Sequence, residues 1–396
     1  MTYIIRDESF GSIVYHKETL FYKYANKVDT EQFLSNGATH WKNVPSDIRG
    51  IISAPIRIYY ELTRDCGLYC KQCFNTSGKK LSNEQPHEDV IASLRGLRND
   101  GVIDMRFTGG ELTRRDDWFE ILKESKNLGF VVSVNTNGVY DNDLILEQLA
   151  SLDIDQITTS IDGNNMTHDF LRGKGSYDQT VRTLEYLKNK GAHLRINSLL
   201  FKHNAESLES VAELASRTCE EINFFYARPF GRAKNLKNNF LSYTELECIN
   251  EKLDVLAEKY NNIRFFHGGQ VKKNKSIIHQ YLKNELGIRL GPPDGFTCFN
   301  INQDGSLWAG GYAEHVNKKL CLGNIRDEGF TVRNVWQNSP LLEAFRNTAE
   351  MWQETCNACA EYSKRCTGLD MELLGSNDMR YCPIKPLVDN AMEKLL

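Results

Sequence analysis

Between residues 55 and 260 the chain alternates short apolar, β-branched segments with stretches of helical periodicity, and no other feature narrows its possible folds as far. Strands are expected at 56–60, 102–108, 131–135, 154–161, 194–200 and 222–226. Helices are expected at 86–99, 116–128, 142–151, 177–190, 206–217 and 243–260. Such alternation builds parallel βαβ units. Six units fit a partial (β/α)6 TIM-like barrel of the α/β class, with a doubly wound sheet as the competitor. Either fold carries its active site at the C-terminal strand ends. Polar residues gather at those ends: a cysteine loop after the first strand, Gly109, Gly110 and Glu111 after the second, Asn135-Thr-Asn-Gly138 after the third and Ser160-Ile-Asp-Gly163 after the fourth. One cleft is indicated.

The flanks read differently. Residues 1–50 hold two aromatic-rich strands around a polar turn, a β-hairpin that cannot bury a core alone. It either packs on the barrel or offers an edge to a further strand. Residues 261–297 are basic and irregular and end in Gly291-Pro-Pro-Asp-Gly295, a linker. Residues 298–396 form a cysteine-rich domain that opens with a hairpin turning at Asp304 and Gly305. The expected domains are therefore 1–50, 51–260, 261–297 and 298–396. A net charge of −4 gives no general attraction to nucleic acid or anionic lipid. No charged and apolar leader opens the chain, and no apolar run is long enough to span a bilayer. The expected location is the cytoplasm, where eleven cysteines are not disulfides. Cys219 and Cys248 are isolated and read as small buried apolar residues. The clustered ones call for a metal.

Cys66, Cys70 and Cys73 lie at spacings of four and three residues. A tetrahedral zinc or a structural iron–sulfur cluster uses four protein ligands. Three thiolates in one loop can hold three irons of a [4Fe–4S] cube and leave the fourth open to a chelating small molecule. A zinc knuckle short of one ligand, or a disulfide with a spare thiol, remains open from these residues alone. Gly109 and Gly110 let a ligand approach the backbone, and Glu111 can accept a charge-assisted hydrogen bond from an ammonium group. By itself Gly-Gly-Glu is an ordinary turn.

Taken together, the C-x3-C-x2-C loop after the first strand and Gly109-Gly110-Glu111 after the second resemble the radical SAM enzymes. The resemblance implies that S-adenosylmethionine (SAM) chelates the open iron and is cleaved to a 5′-deoxyadenosyl radical that abstracts a substrate hydrogen. It implies catalytic roles for Cys66, Cys70 and Cys73 on the [4Fe–4S] cluster. SAM contacts would come from Gly109, Gly110, Glu111, Asn135, Ser160, Asp162 and Arg172. Arg172 would pair with the SAM carboxylate, a contact suited to the guanidinium fork. Turn-forming or helix-capping is the competing account of the polar residues. Gln72 stands where the family often has an aromatic residue or histidine.

The tail resembles the SPASM (twitch-like) extension of a subset of this family. That implies an auxiliary [4Fe–4S] cluster on Cys356, Cys359, Cys366 and Cys382, with structural zinc as the alternative. Cys298 matches the other auxiliary site, but Gly310 and Asp370 stand where two of its cysteines are expected. Cys321 is either a displaced ligand there or a hydrogen-atom donor to a substrate radical. One auxiliary cluster is expected. Arg228-Pro-Phe-Gly-Arg-Ala233 resembles a segment near the substrate cavity of this group. The resemblance further implies a ribosomally made precursor peptide as substrate, undergoing crosslinking, oxidation or epimerisation. A flavodoxin- or ferredoxin-type electron donor is implied as well. The N-terminal hairpin suits capture of an extended leader by strand addition. The alternative is a small-molecule dehydrogenase or epimerase in which that hairpin only plugs the barrel. An iron–sulfur scaffold or RNA-binding module fits poorly with the mild acidity and the intact Gly-Gly-Glu.

Overall fold

The computed structural model describes residues 2–35, 37–41, 50–267, 286–289 and 293–357. At the N-terminus, β1 (Tyr3–Glu8), β2 (Gly11–His16), β3 (Phe21–Asn26) and β4 (Thr39–Trp41) form a sheet in the order β3-β2-β1-β4, with α1 (Lys27–Ser35) between β3 and β4. The expected hairpin is β2–β3, paired from Gly11↔Asn26 to His16↔Phe21. It is only half of this element: the six-residue β1 and the three-residue β4 are not among the expected strands.

The main sheet runs β11-β10-β9-β8-β7-β6-β5-β12-β13-β14. Its core is six parallel strands in chain order: β5 (Arg57–Glu61), β6 (Asp104–Thr108), β7 (Val131–Asn135), β8 (Gln156–Ser160), β9 (Leu194–Leu200) and β10 (Glu221–Tyr226). Sequential order is the winding of a partial barrel, whereas a doubly wound sheet reverses direction midway. The crossovers contain α2 (His87–Asp100), α3 (Trp118–Asn127), α4 (Leu144–Ser151), α5 (Asn165–Arg172), α6 (Ser176–Asn189) and α7 (Leu208–Thr218), and α8 (Tyr243–Lys259) follows β10. Right-handed crossovers put these helices on one face. Residues facing them, such as Ile58, Tyr60, Met105, Phe107, Val134, Ile196 and Phe224, are at most 1% exposed. The alternate residues face the inside of the barrel and are polar: Arg57, Tyr59, Arg106, Ser133, Asn135, Arg195, Asn197 and Asn223. Most of them keep partial exposure, so the interior is a lumen open to solvent.

Beyond α8 the expected linker begins with a further strand, β11 (Arg264–His267), parallel to β10. The C-terminal region then extends the same sheet. β12 (Cys298–Ile301) lies parallel to β5, and β13 (Ser306–Trp308) returns antiparallel through the Asp304–Gly305 turn. Next come α9 (Ala313–Val316), β14 (Cys321–Asn324), α10 (Val332–Asn338) and α11 (Pro340–Asn357). Trp336 of α10 is fully buried against Phe299 and donates its indole N–H to the Ile52 carbonyl at 2.7 Å. The N-terminal sheet sits on the floor of the barrel. Buried Arg6 donates to the carbonyls of Ala54, Pro55 and Gly101, and the Tyr15 hydroxyl to Asp104 at 2.7 Å, all at the N-terminal ends of β5 and β6. Among the described residues no helix is long and apolar enough to cross a membrane.

Candidate active site at the strand ends

The loop leaving β5 carries Cys66, Cys70 and Cys73, all free and half-buried. It is pinned from three sides. The first side is the turn after β6: the Gly110 N–H donates to the Thr63 carbonyl and the Glu111 N–H to the Asp65 carbonyl, both at 2.7 Å. A Cβ on Gly110 would collide with the Asp65 carbonyl, and one on Gly109 would fall 2.5 Å from that of Thr63. These glycines therefore permit a close approach by the cysteine loop.

The second clamp is the segment after β10. The Arg232 guanidinium donates to the Cys70 and Ser77 carbonyls at 2.7 Å each and lies 3.9 Å over the Tyr69 ring. The Arg232 N–H reaches the Cys73 carbonyl at 2.9 Å, and a side chain on Gly231 would strike the Phe74 carbonyl. This segment, expected at the substrate cavity, holds the cysteine loop. The third clamp is Asp162, fully buried after β8. It accepts from Gln72 Nε2 at 2.8 Å, Arg172 Nε at 2.7 Å and the Leu199 N–H at 2.8 Å. Burial works against the Arg172 charge, but the Asp162 carboxylate more than offsets it and holds the pKa above the ordinary arginine value. Arg172 ends α5, an eight-residue helix that is not among those expected from periodicity. The signal was its cap, Asn164, which accepts from the Thr167 N–H at 3.1 Å.

Glu111 is 2% exposed and accepts from Thr113, from the Thr136 hydroxyl at 2.9 Å and from the Asn137 N–H at 2.8 Å. Burial nevertheless outweighs these donors and raises its pKa. Asn137, not singled out in the sequence, donates to Cys66 Sγ at 3.7 Å. Asn135 and Ser160 end β7 and β8, half-buried on the lumen side. Seven of the expected residues around the loop thus share one end of the barrel with it: Gly109, Gly110, Glu111, Asn135, Ser160, Asp162 and Arg172.

The loop suits an iron–sulfur cluster. Burial first, then the Glu111 carboxylate and the neighbouring thiols, pushes the Cys66 pKa up to about 11, and burial raises that of Cys70. Such thiols stay protonated until a cation claims them. None is in a disulfide, and among the described residues no three His, Cys, Asp or Glu converge on a single ion. A cube of irons, which spreads its thiolates, fits that spacing better than one zinc does. The Gln72 Oε1 is buried with no hydrogen-bond partner, an acceptor left for a ligand's donor. A cavity of about 460 Å³ opens beside Cys66, bounded by Arg64, Tyr69 and Asn75.

Behind the loop, Phe74 packs on Tyr312 with ring centroids 4.8 Å apart, and Arg64 pairs with Glu314 at 3.1 Å. The C-terminal region therefore touches the loop directly. Its own cysteines are arranged differently. Cys298 is buried and donates to Asp294 Oδ1 at 3.5 Å. A Cβ on Gly310 would lie 2.5 Å from the Asp294 carboxyl group, so that group fills the space of the absent side chain. Cys321 opens β14, three strands or about 14 Å across the sheet from β5, with its thiol on the Gly323 carbonyl at 3.5 Å. The fold does not bring it to the strand ends. Cys356 lies at the end of α11, and Cys359, Cys366, Asp370 and Cys382 fall outside the described residues. Cys219 is buried as expected, whereas Cys248 is exposed on α8.

Residues 60–215 match the radical SAM superfamily, and residues 293–360 match SPASM, an iron–sulfur cluster-binding domain. Mycofactocin maturase MftC of Mycolicibacterium smegmatis is 29% identical over 318 residues, covering 78% of this chain and 76% of the relative. The AdoMet-dependent heme synthase of Methanosarcina barkeri is 29% identical over 339 residues, 80% of this chain and 91% of that protein. Among solved structures, Streptococcus suis SuiB bound to S-adenosylmethionine superposes with a TM-score of 0.75 at 17% identity, over 96% of this chain and 97% of SuiB. SuiB bound to precursor peptide SuiA superposes with a TM-score of 0.74.

Proposed function

The chain belongs to the radical SAM superfamily, in the group with a SPASM domain, and on that premise we propose that it matures a ribosomally synthesised precursor peptide. Membership brings a SAM-binding [4Fe–4S] cluster, at least one auxiliary [4Fe–4S] cluster and SAM. When bound, these supply a carbon radical able to take a hydrogen atom from an unactivated substrate C–H. The residues of this chain do the rest. Cys66, Cys70 and Cys73 would hold the first cluster, with Arg232 and the Gly109–Gly110 turn fixing the loop backbone and Asp162 the Gln72 side chain. Glu111, Asn135, Ser160 and Arg172 would line the SAM side, and the unpartnered Gln72 Oε1 would be available to a donor of the bound SAM. Cys356, Cys359, Cys366 and Cys382 hold the auxiliary cluster, and Cys298 is left out of it.

The observation that carries the peptide reading is the likeness to a named maturase, MftC, across 78% of the chain. The N-terminal sheet supports it, since β3 and β4 form its edges and an extended leader can add to an edge. The test is to reconstitute the enzyme anaerobically, reduce it, and add SAM with short peptides encoded beside its gene. Loss of a hydrogen pair or inversion of one residue is expected. Peptides returned unchanged in mass and configuration would overturn the reading.

A second reading, a small-molecule radical SAM dehydrogenase or epimerase, draws on two observations. One is the docking of the N-terminal sheet on the barrel floor, and the other is the likeness to a heme synthase. Leader dependence separates the two: a maturase should lose turnover on a leaderless core peptide and regain it when the leader is added in trans. Deleting the sheet would not serve, because Arg6 and Tyr15 are buried parts of the floor.

A further inference from the structure

The inside of a parallel barrel is ordinarily packed with branched apolar side chains. Among the described residues the lower lumen holds four arginines, Arg57, Arg106, Arg195 and Arg264, against two carboxylates, Asp104 and Glu221. Asp104 is shared by Arg57 at 2.6 Å and Arg106 at 3.5 Å; Glu221 is shared by Arg195 at 3.1 Å and Arg264 at 2.9 Å. Two positive charges are left over. The Arg195 Nε is buried with no hydrogen-bond partner, while the buried Arg106 reaches Asp104 only through its Nε at 3.5 Å, without a hydrogen bond. Burial, with help from Arg106 and Arg57 and against the pull of Glu221, lowers the Arg195 pKa to about 10. Uncompensated buried charge is expensive, and the lumen above these groups is open at Asn197, Asn223 and Phe225.

We infer that Arg106 and Arg195 form an anion site in the barrel floor that binds a carboxylate of the substrate. A guanidinium fork matches a carboxylate in charge and in planar geometry. Arg106 lies three residues below Gly109, about 10 Å along the strand direction, a distance an extended end of about three residues spans. A substrate anchored by its carboxylate on the floor would present a carbon a few residues away to the strand ends that carry the cysteine loop. The inference rests on the reading that the lumen receives the substrate, and it names which end enters first.

Saturation-transfer NMR on the full-length, cluster-loaded protein with SAM tests it with three probes. Hippurate carries a main-chain-type carboxylate, N-acetylglutamic acid α-amide a side-chain one, and hippuramide none. One of the acids should bind, with hippuramide about tenfold weaker or silent, and the stronger acid identifies the source of the carboxylate. Arg106→Gln and Arg195→Gln should each weaken that acid by about tenfold, while Arg195→Lys, which keeps charge but loses the fork, falls between. Equal binding of hippuramide and the acids, or silence from both acids, would overturn the site. So would unchanged acid binding in glutamine variants whose melting curves show them folded. Acid binding without any peptide modification would leave the site standing and remove the maturase reading. Peptide modification without acid binding would do the reverse.

Discussion

Two of the cysteine-bearing regions lie on neighbouring strands, β5 and β12, and they differ in how their thiols are held. At 66–73 three thiols share a loop that Gly110 and Arg232 hold by its backbone and Asp162 by the Gln72 side chain. At 298–310 one thiol hydrogen-bonds a carboxylate that has taken the volume of the side chain missing at Gly310. A cysteine in a family position needs more than its place in the sequence to serve as a ligand. A cluster site also needs vacant volume and a backbone that holds its shape while empty.

The largest effects should come from the first region. Cys66→Ala, Cys70→Ala and Cys73→Ala should each bring reductive SAM cleavage to background, read as 5′-deoxyadenosine release; turnover in any of them would break the contrast. Asp162→Ala should follow, because it strands the buried Arg172 charge. A loss of about 3–5 kcal/mol in chemical denaturation is expected, and a loss near zero would remove Asp162 as the hub.

His168, whose Nδ1 accepts from the Asp162 N–H at 3.2 Å, gives a pH test. Burial, then the Arg172 charge, lowers its pKa from 6.5 to about 4. The unfolded chain therefore binds a proton that the native state refuses. The stability this lends is complete above pH 6.5 and is lost as pH falls towards 4. Comparison with His168→Gln should isolate a difference of up to about 3 kcal/mol across that window. Parallel stability curves for the two proteins would contradict it. Arg232→Ala should weaken cluster retention by about 10–100-fold, the range seen when groups supporting ligands are removed, measured as iron kept after gel filtration with a chelator. The smallest effect belongs to the second region: Cys298→Ala should leave iron content unchanged and cost about 1 kcal/mol from its hydrogen bond.

Much of this could be read from the residues. The six strands differ from expectation by at most three residues at an end, since β-branched runs and the helices between them decide a parallel sheet. The cysteine loop and Glu111 were visible because their chemistry is rare at that spacing. What stayed hidden depends on contacts made across long separations. Arg232 grips Cys70 from 162 positions away, and Asp294 reaches the volume of Gly310 only because β12 and β13 fold back on each other. The packing of Gly109 and Gly110 on the cysteine loop is hidden for the same reason, since which backbone comes close cannot be seen in one segment. The lumen arginines sit at alternate positions of strands and read there as ordinary polar alternation; their convergence exists only in the closed sheet.

The most direct measurement is iron and sulfide per chain after anaerobic reconstitution, in the wild type and in the combined Cys66→Ala, Cys70→Ala, Cys73→Ala variant. One cluster in the 66–73 loop and one auxiliary cluster, with Cys298 idle, predict about eight irons falling to about four. A wild-type count near twelve, or a triple variant that keeps the wild-type count, would contradict the account.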